Sequence, residues 1–178
     1  LGQIHVSVCV KPHLGSDYRI ELRVMEPEME LPPGMSVKRV RAILLFARSQ
    51  SGLDQLDYHF RFMTDIEAEP ESGEHLDAQS WQDKHNVIVV GTEDGEALLR
   101  RMPWLKTEDD PLTFVEYRRD GLNVSLKHIP TGETVGLHYV IAENDNPEPI
   151  ECSAWYAVDI QHERLLQAEA NVMQERTA

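Results

Sequence analysis

The segment 90–96, with the sequence VGTEDGE, has the residues of a strand end, a glycine-containing turn and a helix start. That order of elements can bind a phosphate at the helix N-terminus. The segment lacks the glycine spacing and the lysine of known phosphate loops. Glu93, Asp94 and Glu96 also place negative charge where the phosphate would lie. We interpret these acids as partners of the positive end of the helix dipole, so the segment predicts no nucleotide site.

Metal and catalytic chemistry has equally little support in the spacing of residues. The chain has eight histidines, and none are three or four residues apart as ligands on one helix face would be. The acids and amides of 143–151 could chelate Ca²⁺, but they do not have the spacing of an EF-hand loop. Cys9 and Cys152 have neither metal-pair spacing nor the local signature of a catalytic Cys–His pair. The sequence therefore predicts no metal site, no cofactor and no catalytic residue, and two free thiols in a reducing compartment.

The elements that would position binding residues are clearest in 112–160, which predicts an antiparallel meander. Its four strands are expected near 112–119, 122–129, 134–141 and 152–160. Asp120-Gly121 is a strong two-residue hairpin signal, and it places Val115 opposite Leu126 and Thr113 opposite His128. A second turn at Thr131-Gly132 pairs the next two strands. Both turns place the same side chains on one apolar face, which includes Val115, Val124, Leu126, Leu137 and Tyr139.

The other face of this meander supplies the candidate binding residues. Alternation places Glu116, Arg118, Lys127 and His138 there together with Asn123 and Ser125, and Trp155 joins them if Tyr156 and Val158 point inward. Large aromatics and arginines are typical anchors of protein interfaces. The predicted binding residues are Glu116, Arg118, Lys127, His138 and Trp155, and the alternative is an ordinary solvated sheet face.

The rest of the chain predicts further strands and three helices. Strands are expected at 3–11 and 18–24, which form a hairpin, at 57–64, and at 86–91, where an unbroken apolar run suggests burial on both faces. Helices are expected from Ser36 to Gln50, from Asp94 to Met102 with Thr92 as its cap, and from Gln161 onward. The acidic segment 65–83 reads as an exposed loop.

These elements predict an α+β fold, mainly antiparallel sheet, with a C-terminal four-stranded meander and about three helices packed on it. The expected organisation is an N-terminal lobe at 1–66, an acidic loop or linker at 67–85 and a second lobe at 86–178. The alternative is one continuous domain.

Composition restricts the classes of partner. The chain has 178 residues and a net charge of −14, from 31 acids against 17 lysines and arginines. That balance opposes nucleic-acid binding, which needs clustered basic residues, and it favours a partner protein with a basic patch. No apolar run is long enough to span a bilayer, so we expect no membrane partner and a cytoplasmic location.

These features lead us to expect a non-enzymatic protein-binding module, such as an immunity protein, an inhibitor or an adaptor that masks a partner. Two alternatives stay open. One is an enzyme or small-ligand-binding protein with a pocket between the lobes, in which His59, His138, Glu116 and Arg118 are the polar groups. The other is a structural subunit of a phage or secretion assembly, with Leu45 and Phe46 at an interface.

Overall fold

The computed structural model of the chain describes residues 2–13, 17–105 and 114–175, and their strands form two antiparallel sheets. The four-stranded sheet has the order β1-β4-β9-β8 and the six-stranded sheet the order β2-β3-β10-β7-β6-β5. The ten strands are β1 (Gln3–Pro12), β2 (Tyr18–Met25), β3 (Arg39–Ser49), β4 (Leu53–Met63), β5 (Glu69–Gly73), β6 (Leu76–Gln82), β7 (Asn86–Glu93), β8 (Val115–Arg118), β9 (Gly121–Ile129) and β10 (Thr134–Asp145). The described helices are α1 (Gly95–Arg101), α2 (Ser153–Val158) and α3 (His162–Glu175). The expected α+β class with mainly antiparallel sheet is confirmed in this broad form.

The main core lies between the two sheets. Each strand there alternates apolar residues toward the facing sheet, as the two-residue period of a strand requires. The largest fully buried side chains in this core are aromatic, and they come from β4, β6 and β10: Tyr58, Phe60, Phe62, Trp81 and Tyr139. Val115, Leu126 and Leu137 share this core with Tyr139, as predicted.

A second apolar layer covers the opposite face of the six-stranded sheet. Ala154, Ala157 and Val158 of α2 and Leu165 of α3 pack there against outward residues such as Leu44 and Val140. The molecule therefore has three layers: the four-stranded sheet, the six-stranded sheet and the helix pair α2–α3. Among the described residues, no helix combines the length and the apolar character needed to cross a bilayer.

The predicted meander is wrong in its connectivity, although its apolar face is right. β8 and β9 form a hairpin, but Val115 lies opposite Val124 rather than Leu126. This two-residue slip keeps every side chain on its predicted face. Gly121 begins β9 instead of completing the turn, since it pairs with Arg118. It lies so close to β4 that a Cβ there would be 1.9 Å from the carbonyl oxygen of Phe60. The predicted start of this hairpin at Leu112 and Thr113 lies outside the described residues.

The second predicted turn is a crossing between sheets. β9 belongs to the four-stranded sheet and β10 to the six-stranded sheet, where β10 pairs with β3 and β7. The apolar faces of β9 and β10 thus face each other across the core instead of lying side by side. The predicted last strand, 152–160, contains α2, since Ala154, Ala157 and Val158 have the spacing of one helix face.

The helix predicted at 36–50 is also wrong, because this segment forms β3. Val40, Ala42 and Leu44 pack under the helices, while Leu45 and Ala47 face the other sheet. A strand buried on both faces has an almost continuous apolar sequence, and such a run can imitate the stripe of a helix.

Three smaller corrections concern pairing and capping. β1 and β2 do not form a hairpin, since β1 pairs with β4 and β2 with β3. The segment 65–83, expected as a loop, contains the hairpin of β5 and β6. The N-cap of α1 is Asp94, whose side chain accepts a hydrogen bond from the Ala97 amide, rather than Thr92. The strands predicted at 3–11, 18–24, 57–64 and 86–91 and the last helix are confirmed.

Two tyrosines connect the sheets reciprocally. Tyr58 of the four-stranded sheet donates its hydroxyl to the carbonyl of Ile43 in the six-stranded sheet, at 3.0 Å. Tyr139 of the six-stranded sheet points back and places its hydroxyl 2.6 Å from the carbonyl of Tyr58 and 3.1 Å from that of Leu122. Burial raises the pKa of both phenols, so each must stay protonated to keep its bond.

Val124→Asp tests the inward face of β9. The side chain is fully buried between the sheets, so a carboxylate there would have no partner and should cost at least about 3 kcal/mol of unfolding free energy. Urea denaturation measures the change. The control is Lys127→Asp on the exposed face of the same strand, for which we expect a change within about 0.5 kcal/mol. Equal effects would contradict the assigned faces.

The tyrosine pair predicts loss of stability at alkaline pH. In the unfolded chain phenols ionise near pH 10, whereas the folded core keeps these two neutral. The unfolded state therefore holds fewer protons above about pH 10, and stability should fall there by about 1.4 kcal/mol per pH unit per tyrosine. Denaturation across this range should show a shallower fall for Tyr58→Phe, while Tyr18→Phe, at an exposed position, should leave the slope unchanged.

Candidate functional site

The outer face of the four-stranded sheet contains three of the five predicted binding residues. Glu116 and Arg118 lie on β8 and Lys127 on β9, with their side chains directed away from the core. The same residues border a cleft with a cavity volume of about 500 Å³. Neighbouring strands add further polar side chains to its lining: Gln55, Asp57, His59, Asn123 and Ser125.

Hydrogen bonds within this face hold its side chains in place. Arg118 donates to Glu116 at 2.8 Å, and this bond lowers the pKa of the Glu116 carboxyl. The neighbouring Asn123 side chain, only 4% exposed, lowers this pKa further. Asp57 accepts from the Ser125 hydroxyl at 2.6 Å and from the Gln55 amide at 2.9 Å. The face therefore presents ionised and neutral hydrogen-bonding groups in fixed positions.

The other two predicted binding residues lie elsewhere. His138 is on β10, in the other sheet, and it is only 1% exposed under the helix layer. Trp155 is on α2, where its ring packs so closely over Gly73 that a Cβ at that glycine would lie 2.5 Å from it. The structure thus separates His138 and Trp155 from Glu116, Arg118 and Lys127, because the predicted meander does not exist.

His138 belongs to a second polar group, which we call the histidine cluster: Glu93, Arg101, His138 and His162. β7 pairs with β10 so that Gly91 lies opposite Val140. Two residues along each strand, the same register places Glu93 beside His138, on the face that the helices cover. His162, at the start of α3, places its Nδ1 3.0 Å from Nδ1 of His138. Gly136 makes this approach possible, because a Cβ there would lie 2.7 Å from Nε2 of His162.

Arg101 of α1 neutralises the carboxylate of this cluster. Its Nε donates to Oε1 of Glu93 at 3.0 Å, its Nη2 donates to Oε2, and Nη2 also donates to the carbonyl of Gly136 at 2.6 Å. Burial, together with the nearby Arg101 charge, lowers the pKa of His138 to about 3. Burial and the neighbouring His138 likewise lower the pKa of His162 to about 3. Both imidazoles are therefore neutral at physiological pH.

The contact between the two rings limits their tautomers. Nδ1 of His138 and Nδ1 of His162 face each other at 3.0 Å, so in the neutral pair one of them carries a proton and donates it to the other. The other neutral ring carries its proton on Nε2.

The histidine cluster was missed by the sequence analysis, which placed His138 beside Glu116. Its members come from β7, α1, β10 and α3, and no two of the possible ligands Glu93, His138 and His162 are close in sequence. The informative signal was Gly136, a glycine inside an otherwise apolar strand, which often marks a close approach.

No known protein family matches the chain, and no curated protein matches it. Among solved structures, the chain is similar to one described as a putative kojibiose phosphorylase from human microbiome, with a TM-score of 0.45 and 4% sequence identity. The similarity covers 98% of this chain and 21% of the other, so this chain spans about a fifth of that protein's length.

Arg101→Met tests the charge balance of the histidine cluster. The Glu93 side chain is 9% exposed and that of Arg101 16%. Removing the cation leaves a nearly buried carboxylate without its partner, which should cost about 3 kcal/mol of unfolding free energy. Chemical denaturation measures this change. The matched control is Arg118→Met on the exposed pair with Glu116, for which the expected loss is below about 1 kcal/mol.

Proposed function

We propose that the chain is a non-enzymatic binding module that recognises another protein through the outer face of its four-stranded sheet. The observation that carries this proposal is the set of polar side chains from β4, β8 and β9 around one cleft, held by mutual hydrogen bonds. The proposed partner presents hydrogen-bonding groups and a basic patch. Masking of that partner, as by an immunity protein, an inhibitor or an adaptor, is the expected role.

Preorganisation supports binding at this face. Ordering a long side chain at an interface costs about 0.5–1.5 kcal/mol. Arg118, Glu116 and Asp57 already have hydrogen-bonded positions in the free protein, so part of this cost is absent when a partner docks. A solvated face without such bonds would have no comparable advantage.

The dimensions of the face also suit a macromolecule. The strands β1, β4, β9 and β8 have 10, 11, 9 and 4 residues. At about 3.3 Å per residue and about 4.8 Å between strands, they give a projected area of roughly 540 Å². Standard interfaces bury about 800 Å² on each partner. Residues around the rim would supply the remainder.

A small polar ligand in the same cleft is the second candidate. His59, Glu116 and Arg118, three of the groups expected for a ligand pocket, border one cavity of about 500 Å³. That volume is in the range of small-molecule sites. Such a ligand would contact the cleft alone and would leave the outward residues of β1, such as Ser7, free.

Site-specific photocrosslinking tests the proposal. A photoreactive amino acid in place of Lys127 or Ser7 should crosslink a protein from the native host, because both positions face outward from the four-stranded sheet. The same amino acid in place of Arg19, which is exposed on the six-stranded sheet, should not. Crosslinking at all three positions, or at none, would contradict a docking face here.

Binding kinetics with the crosslinked partner then separate the roles of the residues. Arg118→Ala should speed dissociation and cost about 2 kcal/mol of binding free energy if Arg118 is an anchor, and Arg19→Ala should change neither rate. If the net charge of −14 steers the encounter, added salt should slow association and leave dissociation nearly unchanged. An Arg118→Ala variant with unchanged affinity and dissociation rate would indicate that this face is an ordinary solvated surface.

A further inference from the structure

The histidine cluster has the composition of a metal site. Two imidazole nitrogens and one carboxylate oxygen are ligands typical of Zn²⁺ and related divalent transition metals. Glu93, His138 and His162 each offer one ligand atom, and these three atoms lie within 4.8 Å of one another. All three residues are buried, at 7%, 1% and 2% exposure, so they are not a chance group of surface acids.

We propose that Oε2 of Glu93, Nδ1 of His138 and Nδ1 of His162 bind a divalent transition metal of the zinc class. In the metal-bound state both rings carry their proton on Nε2, so the proton between the two Nδ1 atoms moves to the other nitrogen of its ring. This inference is independent of the proposed docking face, which lies on the other sheet.

The distances between the candidate ligands support this assignment. In a tetrahedral zinc site with bonds of about 2.0–2.1 Å, ligand atoms are about 3.4 Å apart. The two Nδ1 atoms are 3.0 Å apart, and Nδ1 of His138 is 4.0 Å from Oε2 of Glu93. Shifts of about half an ångström bring these two separations to the tetrahedral value of about 3.4 Å. The third separation, between Glu93 and His162, is within 4.8 Å and requires a larger movement of the Glu93 carboxylate if it is near that limit.

The surroundings of His138 are those of a ligating histidine. Metal-binding histidines usually donate their second ring N–H to a carbonyl or carboxylate, which fixes the ring and its tautomer. The backbone of Ile160, which raises the pKa of His138, lies where it can accept the second N–H of this ring. Nδ1 of His138 then faces the cluster, 3.0 Å from Nδ1 of His162.

A cation can reach the cluster from solvent through the carboxylate. Glu93 and Arg101 border a cleft with a cavity volume of about 590 Å³, whose lining also includes the acids Glu74, Asp159 and Glu163. The same cleft also includes Arg100, so its four carboxylates, with Glu93 among them, face two arginines, and this excess of acids attracts a cation.

Arg101 is the main opponent of metal binding. It holds both oxygens of Glu93, so Oε2 must leave Nη2 before it can bind a metal. Nη2 then keeps its bond to the Gly136 carbonyl, and Nε keeps Oε1. Arg101 can thus stay in place, but its positive charge weakens the site. Its removal should therefore strengthen metal binding even though it destabilises the metal-free fold.

Zinc titration of the chelator-treated full chain tests the proposal. Calorimetry should show one zinc bound per chain, and Glu93→Gln and His162→Gln should each weaken binding at least tenfold. Arg101→Met should tighten it several-fold, and zinc should restore the thermal midpoint that this variant loses. His128→Ala, which removes an exposed histidine, is the matched control and should bind zinc as the wild type does. Circular dichroism checks that each variant is folded.

X-ray absorption of the zinc-loaded wild type keeps the test decisive if a variant does not fold. Two imidazoles and oxygen in the first coordination sphere are expected, whereas sulfur there would assign the metal to Cys9 or Cys152 and overturn the proposal. Absence of stoichiometric binding, or equal affinity in wild type and Glu93→Gln, would also overturn it. The cluster would then be a hydrogen-bonded histidine pair with a structural role alone.

Discussion

The reciprocal bonds of Tyr58 and Tyr139 fix how the two sheets lie on each other. Each phenol crosses the core to a backbone carbonyl of the facing sheet, and the rings pack with their centroids 4.5 Å apart. A buried hydroxyl that loses its acceptor costs about 1–3 kcal/mol. A shift of one sheet along the other would break both bonds at once, so the pair specifies one arrangement where purely apolar packing would tolerate several.

The orientation of Tyr139 also determines what its neighbours can do. Adjacent residues of a strand point to opposite faces, so a Tyr139 that points into the core requires His138 to point under the helices. The same rule on β4 and β9 places Tyr58 and Val124 inside and His59 and Asn123 outside. The proposed docking face and the histidine cluster therefore lie on the two sides of the sheets that point away from the shared core, and the core determines which side chains reach each of them.

Local features were predictable from the sequence, whereas long-range pairing was not. The alternation in β1, β4 and β9 and the apolar run of β7 were sufficient to identify those strands and their buried faces. The hairpin of β8 and β9 was placed two residues away from its position, and because that slip is even, Glu116, Arg118 and Lys127 were still assigned outward correctly. Nothing in Thr131-Gly132 distinguishes a hairpin turn from a crossing between sheets. Because of that ambiguity, His138 was predicted on the same sheet face as Glu116, although it lies in the other sheet. β3 was mistaken for a helix because a strand buried on both sides has no polar face to reveal its period.

The two candidate sites differ in what they can bind because their surroundings differ in polarity. On the open face of the four-stranded sheet, water screens each charge, and Glu116 and Arg118 are already paired with each other. Affinity there must come from many fitted hydrogen bonds over a large area, which favours a macromolecule.

The histidine cluster is enclosed by the sheet and the helix layer, where a charge interaction is several times stronger than at the surface. Only a small ligand fits there, and only a ligand that replaces or joins Arg101 as the partner of Glu93 can enter without leaving a buried charge unpaired. A divalent cation meets both conditions, since the carboxylate can bind it through one oxygen while the other keeps its bond to Arg101.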